Sequence, residues 1–265
     1  MSKKTNNTIR ANSTQEHLDR LDIAVRLNNV TVEFNGRPTL LNINLDIQAG
    51  SLMAILGPNN AGKTTLLKTI IGLNKPVAGS VYIFARPTQT LKNDIAYVPE
   101  RNSVNWQFPI TLYDLVCMGA YNKLKFYQRF SNKEKELVHD ALGRLSLSHI
   151  ANKSICDLTR GEKHRALIAR ALVQNARIMI MDEPMVSADD ESIDIIIKLI
   201  KELHKEQKTI IVAHHDTITI PKYFQTVAFI NTKIIAVGKT SEIFTKENFN
   251  ITYGVKSDIL SNNIS

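Results

Sequence analysis

The chain has 265 residues, 43% of them hydrophobic and 22% charged, with a formal net charge of +8. That length suits one large domain, or a core with a small subdomain, and no apolar run approaches the roughly 18 residues of a membrane span. The positive balance fits either nucleic-acid binding or a basic protein that handles an anionic nucleotide near anionic lipid, while Cys117 and Cys156 are too far apart for a zinc cluster or disulfide framework and favour a reducing, cytoplasmic setting.

Residues 1–22 are polar with scattered charges and no apolar h-region; a flexible arm is expected there, neither signal nor span. Residues 25–34 alternate, Asn35-Gly36-Arg37-Pro38 reads as a turn, and residues 40–47 alternate again with Leu41, Ile43, Leu45 and Ile47 on one face, which predicts an antiparallel hairpin. Leu52 to Leu56 is an apolar run suited to a buried parallel strand, and Leu66 to Ile71 continues as an apolar helix. Short strands are predicted at 81–84 and 95–98. From about 110 to 175 the spacing is helical. Ser131 with Glu134, and Thr159 with Glu162, form capping boxes ahead of apolar residues at helical intervals. The basic residues Lys123, Lys125, Arg129, Lys133 and Lys135 face one acid, Glu134, and read as a solvated helix face and loop. A buried strand comes next at 178–181. The helix after it opens on Asp189, Asp190 and Glu191 and ends in lysines, as its dipole prefers. Another strand is predicted at 210–213. Strands alternating with helices predict a parallel α/β core.

The chemistry sits between these elements. Gly57-Pro58-Asn59-Asn60-Ala61-Gly62-Lys63-Thr64-Thr65 fits the phosphate-loop pattern G-x-x-x-x-G-K-[ST], between a strand and a helix as that motif requires. Its inward amides cradle a polyphosphate, Lys63 reaches the β and γ phosphates, and the Thr64 hydroxyl takes Mg²⁺. Asp182, ending an apolar strand, suits the carboxylate that holds Mg²⁺ through its water shell. Glu183 next to it is placed to orient or deprotonate the attacking water.

Asp182-Glu183-Pro184 downstream of Leu158-Thr159-Arg160-Gly161-Glu162 resembles an ABC-type ATP-binding cassette, and Arg165 and Ala169-Arg170-Ala171-Leu172 fit the residues usual after the signature in that family. The resemblance runs from about Leu27 to Gly254. It implies a P-loop NTPase (RecA-like) α/β core over residues 23–254, with an N-terminal antiparallel β subdomain, an inserted α-helical signature subdomain at about 101–165, and a tail at 255–265. By motif it also implies that Phe34 stacks on adenine, that Glu100 holds the Q-loop position and can ligate the Mg²⁺ of Mg-ATP, that Thr159, Arg160, Gly161 and Glu162 bind the γ-phosphate held by a second copy, that Asp189 is the D-loop acid, and that His215 is the switch histidine. Phe34 reads equally well as a strand core aromatic. The strings Tyr97-Val98-Pro99-Glu100-Arg101, Asn105 to Thr111, Met118-Gly119-Ala120-Tyr121 and His214-His215-Asp216 are similar to cassettes of manganese, zinc and iron importers.

The resemblance therefore implies an ATPase subunit at the cytoplasmic face of the membrane: a homodimer of cassettes binding ATP and Mg²⁺, working with two transmembrane permease subunits that the 101–160 segment contacts and, indirectly, with an extracytoplasmic solute-binding protein. Direct nucleic-acid binding is not expected, since no long coiled-coil insert separates Lys63 from Asp182. Two alternatives stand beside it, a nucleic-acid-associated cassette and a nucleotide-gated assembly module with attenuated turnover. Three departures from the family pattern bear on the second. Asn60 replaces a glycine, and Asn is the side chain that best tolerates a left-handed backbone. Glu100 replaces glutamine and adds negative charge beside the triphosphate. In the signature, Thr159 keeps a hydroxyl and Gly161 the small position, while Arg160 and Glu162 cancel in charge.

Overall fold

A computed structural model describes residues 22–88, 93–123, 130–186, 188–214 and 220–254. Strand β1 (Ile23–Phe34) pairs antiparallel with β2 (Arg37–Gln48). Asn35 and Gly36 carry φ of 51° and 72°, the left-handed pair that a two-residue hairpin turn needs. The inward face of β2 differs from expectation at its start. Leu40 is fully buried and Leu41 only partly so. Between the pairs Val32↔Leu40 and Val30↔Ile43, two steps along β1 oppose three along β2. The extra residue is a bulge with Asn42 at φ 52°, and it exchanges the faces of the residues before it. Strands β4 (Ala78–Ile83) and β5 (Arg86–Pro87) complete a four-stranded sheet of order β2-β1-β4-β5.

The second sheet holds the core. Its members are β3 (Leu52–Leu56), β6 (Ile95–Val98), β7 (Ile178–Asp182), β8 (Thr209–His214), β9 (Thr226–Asn231) and β10 (Lys233–Lys239), in the order β10-β9-β3-β8-β7-β6. The neighbours from β9 to β6 run parallel, and β10 returns antiparallel to β9. Buried on both faces, the central strands are continuous apolar runs rather than alternating ones. Met53 and Ile55, Ile178 and Ile180, and Ile211 and Ala213 face the first sheet and helix α1 (Lys63–Ile70). Leu52, Ala54 and Leu56, Met179 and Met181, and Ile210 and Val212 face the opposite layer. That layer is built from α2 (Leu112–Cys117), α3 (Asn132–Arg144), α4 (Arg160–Val173) and α5 (Asp190–Lys205). Both expected capping boxes close, at Ser131 with Glu134 and at Thr159 with Glu162, and Thr111 with Asp114 forms a third.

The last strand expected from sequence ends at residue 213, and the fold continues past it. The run Val227-Ala228-Phe229-Ile230 and the turn at Asn231-Thr232, with Thr232 at φ 61°, form the β9–β10 hairpin. Short helices α6 (Ile220–Tyr223) and α7 (Thr240–Ile243) and the longer α8 (Lys246–Tyr253) finish the described chain. The hairpin turn sits where the sheets meet: the Leu41 amide donates to the Thr232 carbonyl at 2.8 Å, and the Thr232 amide donates to the Ala61 carbonyl at 2.9 Å. Among the described residues no helix is long and apolar enough to cross a membrane.

Candidate functional site

The phosphate loop connects β3 to α1. Asn60 has φ 66° and Gly62 φ 97°, so the asparagine occupies the left-handed position that its side chain tolerates. Gly57 is forced to be glycine by proximity. A Cβ there would run into the Ile230 carbonyl and lie 2.9 Å from the Ala61 Cβ. Helix α1 opens on Gly62 with no acidic residue in its first turn, which leaves its amide end and positive dipole for an anion.

Lys63 is 6% exposed, and its Nζ donates to the carbonyls of Gly57 at 2.8 Å and Pro58 at 3.1 Å. The same ammonium lies 3.6 Å from Glu183 Oε1. The loop is thus pre-shaped around a buried cation. Glu183 is itself at φ 51°, and its amide donates to the Ala213 carbonyl at 3.0 Å, which pins the end of β7 against β8. A non-glycine residue in that region stores strain of order 1–3 kcal/mol, a common feature of functional positions.

Asp182 is 1% exposed. Tyr97, on β6, donates to its Oδ2 at 3.4 Å, and Oδ1 is buried without a hydrogen-bond partner among the described residues. Burial raises its carboxyl pKa; the Thr64 hydroxyl opposes this, while the charges of Glu183 and Glu100 push it further up. Among the described residues no three His, Cys, Asp or Glu side chains converge to hold a metal ion; a single buried carboxylate with an unsatisfied oxygen suits a divalent cation held chiefly by phosphate and water, as Mg²⁺ is. Glu100 precedes a 3-10 turn at Arg101–Ser103 and is exposed. Tyr97, on the same edge, has its phenol pKa raised by burial and by the charges of Asp182 and Glu100.

The signature residues lie elsewhere on the chain's surface. Thr159 caps α4 and accepts from the Glu162 amide, and the Thr159 amide donates to Glu162 Oε2 at 2.7 Å. Glu162 also pairs with Lys153 at 3.3 Å. The net charge of Arg160 and Glu162 still sums to zero, but side chains two apart on a helix do not face each other, and the direct partner of Glu162 is Lys153, which reaches it from the preceding loop. Among the described residues, no hydrogen bond or ion pair of 159–162 reaches the phosphate loop. Instead Gly161 packs on the start of α5, where an added Cβ would run into Ser192 Oγ and lie 2.5 Å from Asp189 Oδ2. Asp189 caps α5 by accepting from the Ser192 amide at 2.8 Å. Phe34 is 50% exposed at the end of β1, so it is not the strand core aromatic. Trp106 is partly buried against the core and donates to the Arg101 carbonyl at 3.1 Å, whereas Phe108 is 55% exposed. His214 is buried at the end of β8, and His215 lies outside the described residues. The motifs give no role to Tyr97 or to Tyr253, whose hydroxyl is buried without a hydrogen-bond partner among the described residues. The only sequence signal at Tyr253 is its place immediately before Gly254, which ends α8 at φ 68° as a helix-stopping glycine does.

Residues 40–186 match the family model described as ABC transporter. The chain is 38% identical over 240 residues to the manganese transport system ATP-binding protein MntB of Bacillus subtilis, covering 91% of this chain and 96% of that protein. It is 37% identical over 231 residues to the zinc transport system ATP-binding protein TroB of Treponema pallidum, covering 87% of each. Among solved structures, the dimeric post-hydrolysis form of the ATP-binding cassette MJ0796 bound to ADP and phosphate superposes with a TM-score of 0.73 at 27% identity, covering 81% of this chain and 98% of that one.

Proposed function

Since the chain belongs to the ABC transporter family, we propose that it is the ATP-binding and hydrolysing subunit of a metal-ion import system, with manganese or zinc as cargo, driving separate transmembrane subunits from the cytoplasmic face of the membrane. The observation that carries this reading is the constellation at the phosphate loop. Lys63 is held between two loop carbonyls and Glu183, next to an Asp182 whose Oδ1 lacks a partner among the described residues. The choice of cargo is supported by the manganese and zinc transport relatives.

In this reading Lys63 supplies the charge facing the β and γ phosphates, and the loop amides bind the remaining oxygens. Thr64 and Asp182 hold Mg²⁺, with Glu100 beside them; the ion neutralises phosphate charge. Glu183 takes a proton from the attacking water, His215 contacts the γ-phosphate, and Phe34 stacks on adenine. The amides at the start of α4, with Thr159, Arg160, Gly161 and Glu162, bind the γ-phosphate on a second copy. A homodimer then encloses two ATP molecules, and Asp189 lines its seam. That no hydrogen bond or ion pair joins the signature to its own phosphate loop among the described residues is compatible with this arrangement. A permease pair and, outside the membrane, a solute-binding protein complete the system. Glu100 in place of glutamine supports a slower turnover than in glutamine-bearing relatives.

Two measurements test the reading. The purified chain should hydrolyse ATP only with a divalent cation, and Lys63→Ala should weaken ATP binding and remove turnover. Vesicles containing the chain with its permease should take up manganese or zinc on ATP addition. Unchanged affinity and turnover in Lys63→Ala, or uptake that ignores ATP, would sink it.

A further inference from the structure

Tyr97 is half-buried on β6, opposite Ile180 of the parallel strand β7. Its ring packs against the apolar layer that joins this sheet to α1, the layer that also holds Ile178 and Ile180. Alternate residues of a strand share a face, so Asp182 lies on that side too, one two-residue step of about 6.6 Å beyond Ile180. The Tyr97 hydroxyl spans the step and donates to Asp182 Oδ2 at 3.4 Å. A phenylalanine would fill the same apolar space. What the tyrosine adds is this bond, and a half-buried phenol usually finds such a partner.

The bond makes the two oxygens of Asp182 unequal. The residue is 1% exposed. Oδ2 accepts from Tyr97, whereas Oδ1 is buried with no hydrogen-bond partner among the described residues. The last torsion of an aspartate is broad, so the side chain alone does not decide which oxygen points where. An ionised carboxylate only accepts, and a phenol that meets it donates. Tyr97 therefore holds one oxygen and leaves the other for a cation. Carboxylates that ligate metals take their direction from such outer hydrogen bonds. Here the bond crosses from β6 to β7, so it is set by the pairing of the sheet and not by the motif that supplies Asp182.

We propose that Tyr97 is a positioning residue for the Mg²⁺ of Mg-ATP: its hydroxyl holds Oδ2 of Asp182 and so presents Oδ1 to the cation and its water shell. This rests on the reading of Asp182 as the Mg²⁺ carboxylate. It gives β6 a part in the site beyond leading the chain to Glu100.

The test is Tyr97→Phe in the full chain, which keeps the ring and removes the hydroxyl. Mn²⁺ serves as a spectroscopic probe of the Mg²⁺ position. Its affinity for the chain saturated with ADP, read from the loss of the free-ion paramagnetic resonance signal, should fall by about tenfold. ADP affinity in EDTA should stay within about twofold, because Tyr97 acts through the cation alone. Turnover should need about tenfold more Mg²⁺ to reach half its maximum, and should recover most of that maximum when Mg²⁺ is saturating. Tyr97→Leu, which also takes the ring out of the apolar layer, should lower the unfolding midpoint further while weakening Mn²⁺ no more than Tyr97→Phe does. In an Asp182→Asn background Tyr97→Phe should weaken Mn²⁺ no further, since the two groups act as a unit. Wild-type Mn²⁺ affinity in Tyr97→Phe, where Asp182→Asn weakens it, would overturn this inference alone. So would an equal fall in ADP affinity in EDTA, a full further loss in the double variant, or losses that follow the midpoint across the Phe and Leu variants. Wild-type Mn²⁺ affinity in Asp182→Asn would overturn the reading of Asp182 and this inference with it.

Discussion

At the level of single residues, departures from a family pattern are informative only once their surroundings are known. Asn60 stands in for a glycine at φ 66°. Asn60→Gly should leave stability within about half a kcal/mol, while Asn60→Ala should cost about 1 kcal/mol, because alanine has no polar side chain to support a left-handed backbone. A thermal melt checks this, with about 2–4 °C lost for the alanine variant in a chain this size. Glu100 is a different case. Its charge reaches the already crowded Asp182, raising that carboxyl, so Glu100→Gln should speed ATP turnover by up to about tenfold, equivalent to 1.4 kcal/mol of barrier. A steady-state assay showing a fall would mean the carboxylate is the working group. Glu162, by contrast, is committed to its helix cap and to Lys153. Residue type and spacing singled out Lys63, Asp182 and Glu183, and the fold brings the Lys63 ammonium to within 3.6 Å of Glu183, the residue after Asp182. They could not show that Glu162's partner is Lys153, because that pair depends on the path of the loop before α4.

Elements were legible in proportion to how local their causes are. Strands β3 and β6 fall at the residues expected, since short apolar runs between turn residues leave little choice. The capping boxes at Ser131 and Thr159 were readable because each is a three-residue interval. The bulge at Asn42 was not, for its cause is the register with β1, a partner outside the window. Strand β9 carries the same local signal as β3, an apolar run at Val227 to Ile230 ahead of Asn231-Thr232, whereas β10 and helices α6 to α8 are short or mostly half-buried and take their form from what they cover. The contact between the starts of α4 and α5 is another such long-range cause. Gly161 is hemmed in by Ser192 and Asp189. Gly161→Ala should force these two helix starts apart, at a cost of about 1–3 kcal/mol from overpacking. ATP binding by the isolated chain should survive, as the phosphate loop is untouched, and turnover should collapse. Calorimetry beside an ATPase assay separates the two effects; a joint loss of affinity would mean that the contact steadies the nucleotide site itself.

For the molecule as a whole, the proposed sandwich joins the phosphate loop of one copy to the signature of another, and the oligomeric state under nucleotide tests it. Glu183→Gln should keep ATP binding, nearly abolish hydrolysis and shift the chain to a dimer at saturating ATP, since the ligand then binds the closed form and is not consumed. Size-exclusion chromatography with and without nucleotide reads this directly, and persistent monomer with wild-type turnover would contradict it. The turn at Asn231-Thr232 has an architectural consequence of its own. Surface hairpin tips are ordinarily where chains accept extra residues most freely, and the tip at Asn35-Gly36 should behave so, being bordered by exposed residues. At Thr232 the backbone is spliced into β2 on one side and the nucleotide loop on the other, through its carbonyl and its amide. What is constrained there is chain length rather than side-chain chemistry. One glycine inserted after Asn231 should abolish ATP binding, while one inserted after Gly36 should leave it within about twofold, and substitutions of the Thr232 side chain that keep the length should be mild. Calorimetric titration of the three variants would show whether this keystone is measured in residues or in functional groups.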